Sequence, residues 1–165
     1  MTASSARAEE LARQFEQLND EVIAFVEACD EGAWKAQCAD DERCVGAVAQ
    51  HVADAHRAGS RWVRTIVAGQ PITVTMDDIH TSNAQAAAAS ANQSQSEVAD
   101  ALRQSGAKAA STVRGLSDED LARSASFGPA GGSPASAEAI IVGVMLRHPR
   151  GHLDNMRKGA ASTSA

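Results

Sequence analysis

Ile140-Ile141-Val142-Gly143-Val144-Met145-Leu146-Arg147-His148-Pro149-Arg150-Gly151-His152-Leu153-Asp154-Asn155-Met156 is the stretch on which the reading of this chain turns. At helical period Ile141, Met145, His148, His152 and Met156 share one stripe, so two imidazoles continue an apolar seam that faces a core. Histidines one turn apart can converge on a single metal ion. Pro149 sits between them and removes the helical bond to the Met145 carbonyl. The pair then either straddles a kink or is aimed inward by it. Ser133-Pro134 supplies an N-cap and a first-turn proline for this helix, after a Gly/Pro-rich loop from Phe127 to Gly132. Its end is expected near Gly159, with residues 160–165 as a disordered tail.

Working outward, the same seam logic finds three more helices. Leu11, Phe15, Leu18, Val22, Phe25 and Cys29 recur at alternating four and three spacing, which predicts a first helix from about Ser5 to Cys29. A connection through Asp40 follows, in which Trp34 covers the end of the bundle. Asp41 is the expected N-cap of a second helix that runs to about Ala68 with an inward stripe of Cys44, Val48, His51, Ala55, Ala58, Trp62 and Ile66. After an extended connector at Pro71–Met76, a third helix is expected from about Asp77 to Arg114, through an Ala/Ser/Gln-rich segment. Ser117-Asp118-Glu119-Asp120 has the pattern of a short helical turn. No repeat or strand alternation competes, so the fold class is an all-α four-helix bundle in a single domain over 1–159.

Composition narrows the function classes. Aromatics are 3% of 165 residues and Tyr is absent, which favours closely packed helices over a β-sandwich. The net charge is -6, and Lys and Arg are scattered, which argues against a nucleic-acid partner. No run approaches ~18 apolar residues and no apolar signal core follows Met1, so a cytoplasmic protein without a membrane partner is expected. Cys29, Cys38 and Cys44 are odd in number and lack a Cys-x-x-Cys pair, consistent with reduced, small buried hydrophobes.

The chemistry concentrates in histidine. His51 lies about ten residues past the start of the second helix, and His148 and His152 about eleven and seven before the end of the fourth. If those helices are antiparallel, the three rings fall within ~5 Å of one level at ~1.5 Å rise per residue. Three imidazoles suit Zn²⁺, Ni²⁺, Cu²⁺ or Fe²⁺ and leave a position open for water or substrate. The competing reading is that the three are hydrogen-bonded core residues. His56 and His80 read as structural or solvent-exposed, and Asn83, on the inward stripe of the third helix, as an interhelical hydrogen bond or a contact near a metal or its substrate.

Val48-Ala49-Gln50-His51-Val52-Ala53-Asp54-Ala55, Asp78-Ile79-His80-Thr81-Ser82-Asn83-Ala84, Leu116-Ser117-Asp118-Glu119-Asp120-Leu121 and His148-Pro149-Arg150-Gly151-His152-Leu153, in this order and spacing, resemble the DinB/YfiT-like superfamily of metalloenzymes. The resemblance implies a divalent metal, often Zn²⁺ or Ni²⁺, on His51, His148 and His152. It also implies an unusual helix order in which the second and third helices are parallel and joined by a crossover. The connector permits this, since about eleven residues from Val67 to Asp77 reach ~36 Å extended against the ~22 Å from Ile66 back to His51. Members include thiol-dependent S-transferases, so the resemblance implies a metal-dependent enzyme using a low-molecular-weight thiol and a small-molecule substrate. The alternative is a non-catalytic metal- or ligand-binding protein, or a homodimer in which the small-residue seam of the third helix packs against a second copy.

Overall fold

The computed structural model describes residues 5–163. α1 (Ala6–Ala28) begins where the Ser5 hydroxyl accepts from the Ala8 amide, and it buries Leu11, Phe15, Leu18 and Val22 as the seam predicts. At its end the buried stripe passes to Val26, leaving Phe25 half-buried. The expected connection contains a short helix, α2 (Glu31–Lys35), capped by Asp30 and carrying Trp34. That indole lies on Gly46, where a Cβ would come within 2.7 Å of the ring.

α3 (Val45–Val67) starts after Cys44, so the expectation of an Asp41 cap fails. Asp41 instead binds Arg43 within a tight hairpin whose ends pair at Gln37 and Cys44. The helix also buries a broader face than the predicted stripe, with His56, Gly59 and Val63 fully inside and His51 and Trp62 at its margin.

The predicted third helix is two helices. α4 (Met76–Ala89) ends at Ser90, and α5 (Gln95–Arg114) restarts at Ser94, where the hydroxyl and the Glu97 carboxylate form a capping box. Local capping wins over Ala/Gln propensity because α4 has no buried residue and so no seam to carry on into α5. α4 is the crossover. Gly106 does not break α5; a Cβ there would meet the Asn19 side-chain nitrogen at 2.1 Å.

α6 (Asp118–Ala122) is the expected turn, closed by Ser117 and Asp120. Ser133-Pro134 does not start the last helix. Pro134–Ser136 is a short strand, β2, antiparallel to β1 (Ser124–Ser126), and its edge position tolerates the proline. Ser136 caps α7 (Ala137–Ile140), which continues without a break as a π-helical stretch, Ile141–Arg147, and then α8 (His148–Ala161). The last helix therefore outruns Gly159 by two residues. Of the expected tail, 164–165 lie outside the described residues.

Side-chain pairs fix the directions. His56 meets Ser105 and Arg64 meets Thr112, so α3 and α5 are parallel. Glu9 meets Arg114 and Glu27 meets Arg103, so α1 and α5 are antiparallel. Met145 touches Gly59 while Gly159 touches Gln37, just before α3, so the last helix runs antiparallel to α3. Around the bundle the order is α1, α5, α3 and the last helix, and the parallel, crossover-linked pair is as the family resemblance implies.

Two apolar clusters fill the core, one around Phe15, Ile66 and Met145 and one around Val26, Leu102 and Leu153. His56 lies between them, its Nδ1 3.1 Å from the Ser105 hydroxyl and its ring edge-on to Phe15. Burial lowers its pKa from 6.5 to about 3. The unfolded chain thus takes up a proton near pH 6.5 that the folded chain refuses until about pH 3, so stability present above pH 6.5 is lost as pH falls through that window. Urea unfolding of a His56→Leu variant should show a shallower decline between pH 6.5 and 4.5 than the parent, by up to ~1.4 kcal/mol per pH unit for the one proton removed. Equal slopes would show that His56 is not the group taking it up.

Candidate metal centre

His51 is contributed by the margin of α3, and His148 and His152 by the first two turns of α8. The π-helical stretch ahead of α8 settles the question raised by Pro149. His148 N–H bonds to the Gly143 carbonyl five residues back, and the helix carries on through the proline with right-handed helical backbone at Arg147 and His148. The wide turn absorbs the missing bond and rotates the histidine face toward α3.

The three rings converge. His148 Nε2 lies 3.1 Å from His51 Nε2 and 3.1 Å from His152 Nε2, and the available ligand atoms of all three lie within 4.8 Å of one another. Ring planes cross at 81–86°, with centroids 4.3–5.3 Å apart. Hydrogen bonding alone accounts poorly for this arrangement. An imidazole nitrogen offers either one proton or one lone pair in its ring plane, so His148 Nε2 cannot make two well-directed bonds at once. A tetrahedral ion with N ligands at 2.0–2.1 Å would hold neighbouring nitrogens about 3.3 Å apart, close to the observed spacing.

Electrostatics suits ligation. Burial lowers His51 to about 3 and His152 to about 4, with the neighbouring rings and Arg43 adding to the effect, and burial lowers His148 as well. All three are neutral at pH 7, the form that binds a metal. The site is nonetheless open on one side, since His148 is exposed and the other two are half-buried. A cleft of about 890 Å³ between the ends of α1 and α2, the start of α3 and the α4–α5 turn includes none of the three rings.

The other candidates fall elsewhere. His56 is core and His80 is exposed. Asn83 is half-buried on the crossover helix, and its side chain makes no hydrogen bond among the described residues. Cys38 is buried, its thiol pushed up to about 11, while Cys29 and Cys44 are only half-buried; burial raises Cys29 too. Two residues missed by sequence reasoning act on the rings. Asp41 and Arg43, paired through Nε–Oδ1 and Nη2–Oδ2 contacts of 2.9 and 2.5 Å, are the charged side chains outside the triad that shift His51 and His152. Their only sequence signal was a short polar run before α3, which reads equally well as a helix start.

No curated protein sequence matches the chain. Among solved structures, YfiT from Bacillus subtilis superposes with a TM-score of 0.78 at 16% identity, over 99% of this chain and 91% of that one; it is described as a probable metal-dependent hydrolase with an unusual four-helix bundle topology. Residues 14–156 match the sequence profile of the DinB superfamily, a span that starts within α1 and includes all three converging histidines. With that match over most of its length, and with a parallel, crossover-linked helix pair inside a four-helix bundle, the chain belongs to the DinB superfamily.

Proposed function

We propose that His51, His148 and His152 hold one divalent transition-metal ion, Zn²⁺ or Ni²⁺, and that the protein is a metal-dependent enzyme transferring a low-molecular-weight thiol to an electrophilic small molecule. The convergence of three Nε2 atoms carries this reading. The donor set fits the ion in type, in spacing and in protonation state. A bound ion with an open position lowers the pKa of a thiol or water placed there.

The chain's own residues define the rest. The half-buried seam keeps the three rings neutral and fixed, and the exposed side of His148 leaves access for a substrate. A thiol from outside is favoured over an internal nucleophile because burial holds the Cys29 and Cys38 thiols protonated. Hydrolysis by bound water is the nearest alternative within the same site, and the description of YfiT favours it. Asn83, on the crossover helix, is proposed as a substrate contact.

A second reading is a non-catalytic metal- or ligand-binding protein working as a homodimer. α4 favours it, since no residue of that helix is fully buried and it begins at Met76, which with Val74 is an exposed large apolar side chain.

Elemental mass spectrometry of untagged protein should find about one equivalent of transition metal, with His51→Ala and His148→Ala losing more affinity than the ~10–100-fold typical of an outer-shell change. Full metal retention in either variant, with helical content preserved, would remove the site. In whichever thiol and electrophile pair turns over, Asn83→Ala should raise KM at unchanged metal content, and an unchanged KM removes Asn83 from the site. Light scattering distinguishes the second reading: a dimer inert to a broad panel of thiols and electrophiles supports it, and a monomer with turnover excludes it.

A further inference from the structure

The hairpin between α2 and α3 is fastened to α8 one and two turns beyond His152. Its strands are tied by Cys38 N–H to Arg43 C=O at 3.0 Å and Val45 N–H to Ala36 C=O at 2.9 Å. Its tip is tied to the last helix by Asp40 N–H donating to Asn155 Oδ1 at 2.7 Å. Gly159 makes the seat, because a Cβ there would lie 2.6 Å from the Gln37 carbonyl oxygen. The docked hairpin thereby holds Asp41 and Arg43 between α8 and the start of α3, the two helices that carry the histidines.

Within the hairpin Arg43 is not free to swing. Its backbone amide and its Nε both donate to Asp41 Oδ1 at 2.9 Å, Nη2 donates to Oδ2 at 2.5 Å, and only a quarter of the side chain is exposed. Nη1 has no partner among the described residues, so the Nη1/Nη2 end of the fork keeps N–H groups for a second acceptor. Asp41 cannot serve as that site's anion as well, since both of its oxygens are engaged by Arg43.

We infer that Arg43 is a specificity-determining residue that binds the carboxylate of a small anionic ligand whose other end occupies the open position at the three-histidine site. This rests on the metal-centre reading above. A preformed guanidinium with a free edge recognises a planar carboxylate bidentately at little ordering cost. Neutral ligands gain nothing from it.

The test uses the Co²⁺-loaded protein, whose visible spectrum reports on ligands at the ion, titrated with 3-mercaptopropionate and with 2-mercaptoethanol. Bound metal is measured after gel filtration. The parent should bind the carboxylate-bearing thiol at least about ten-fold tighter, the order of one charge-assisted pair. Arg43→Gln should abolish that preference while keeping metal and 2-mercaptoethanol binding, and Arg43→Lys should keep part of it. An unchanged preference in Arg43→Gln, or none in the parent, overturns the inference and leaves the metal centre standing. A parent that takes up no Co²⁺ overturns the metal centre, and the inference with it.

Discussion

The close contact of α3 with the last helix at Gly59 is what the rest of the structure depends on. With no side chain at Gly59, Met145 packs into the α3 surface so tightly that an added Cβ would lie 2.7 Å from its Cγ. Overpacking of this kind costs on the order of 1–3 kcal/mol and moves backbones. Below the contact the two antiparallel helices bring His51 level with His148 and His152, and below that Gly159 admits the hairpin. Two glycines on two helices therefore set both the register of the three rings and the position of the Asp41–Arg43 pair.

The π-helical stretch belongs to the same design. An α-helix through Pro149 would lose the bond to Met145 and bend, because the proline ring has no N–H to give. By widening the turn before it, the chain gives His148 an acceptor in Gly143 and keeps the helix whole. The wide turn also sets which face of α8 meets α3. A local defect in hydrogen bonding is thus converted into the aim of two side chains, a common use of such bulges at functional sites.

Much of this was legible in the residues. The α1 seam, the antiparallel level argument for His51, His148 and His152, and a parallel, crossover-linked helix pair are all present, but the crossover is the helix α4 and not the extended connector from Val67 to Asp77 that the spacing allowed. What failed was local. Asp41 and Ser133 look like helix caps, and each was overruled by a tertiary pairing invisible in sequence: Asp41 by its own guanidinium partner in a hairpin docked on α8, Ser133-Pro134 by strand pairing with Ser124–Ser126. The predicted third helix failed for the opposite reason. Ala and Gln propagate a helix well, but without a buried stripe nothing distant holds it, and the Ser94–Glu97 box decides the break. His56 shows the limit of stripe reading, since the buried face of α3 is wide enough to enclose a residue ~140° from His51.

Parallel α3 and α5 require the chain to return the full length of the bundle between them. An extended strand would do this with unpaired backbone exposed, whereas α4 covers ~21 Å in 14 residues with its hydrogen bonds satisfied internally. It is anchored at its start, where Ile72 bonds to Ser126 and Gly128, and at its end by the turn into α5. Because the return path lies outside the core, it does not intrude between α3 and α8. The face between those helices that carries the histidines is thereby left to the docked hairpin, whose Asp41 and Arg43 are the charged groups outside the triad that shift His51 and His152.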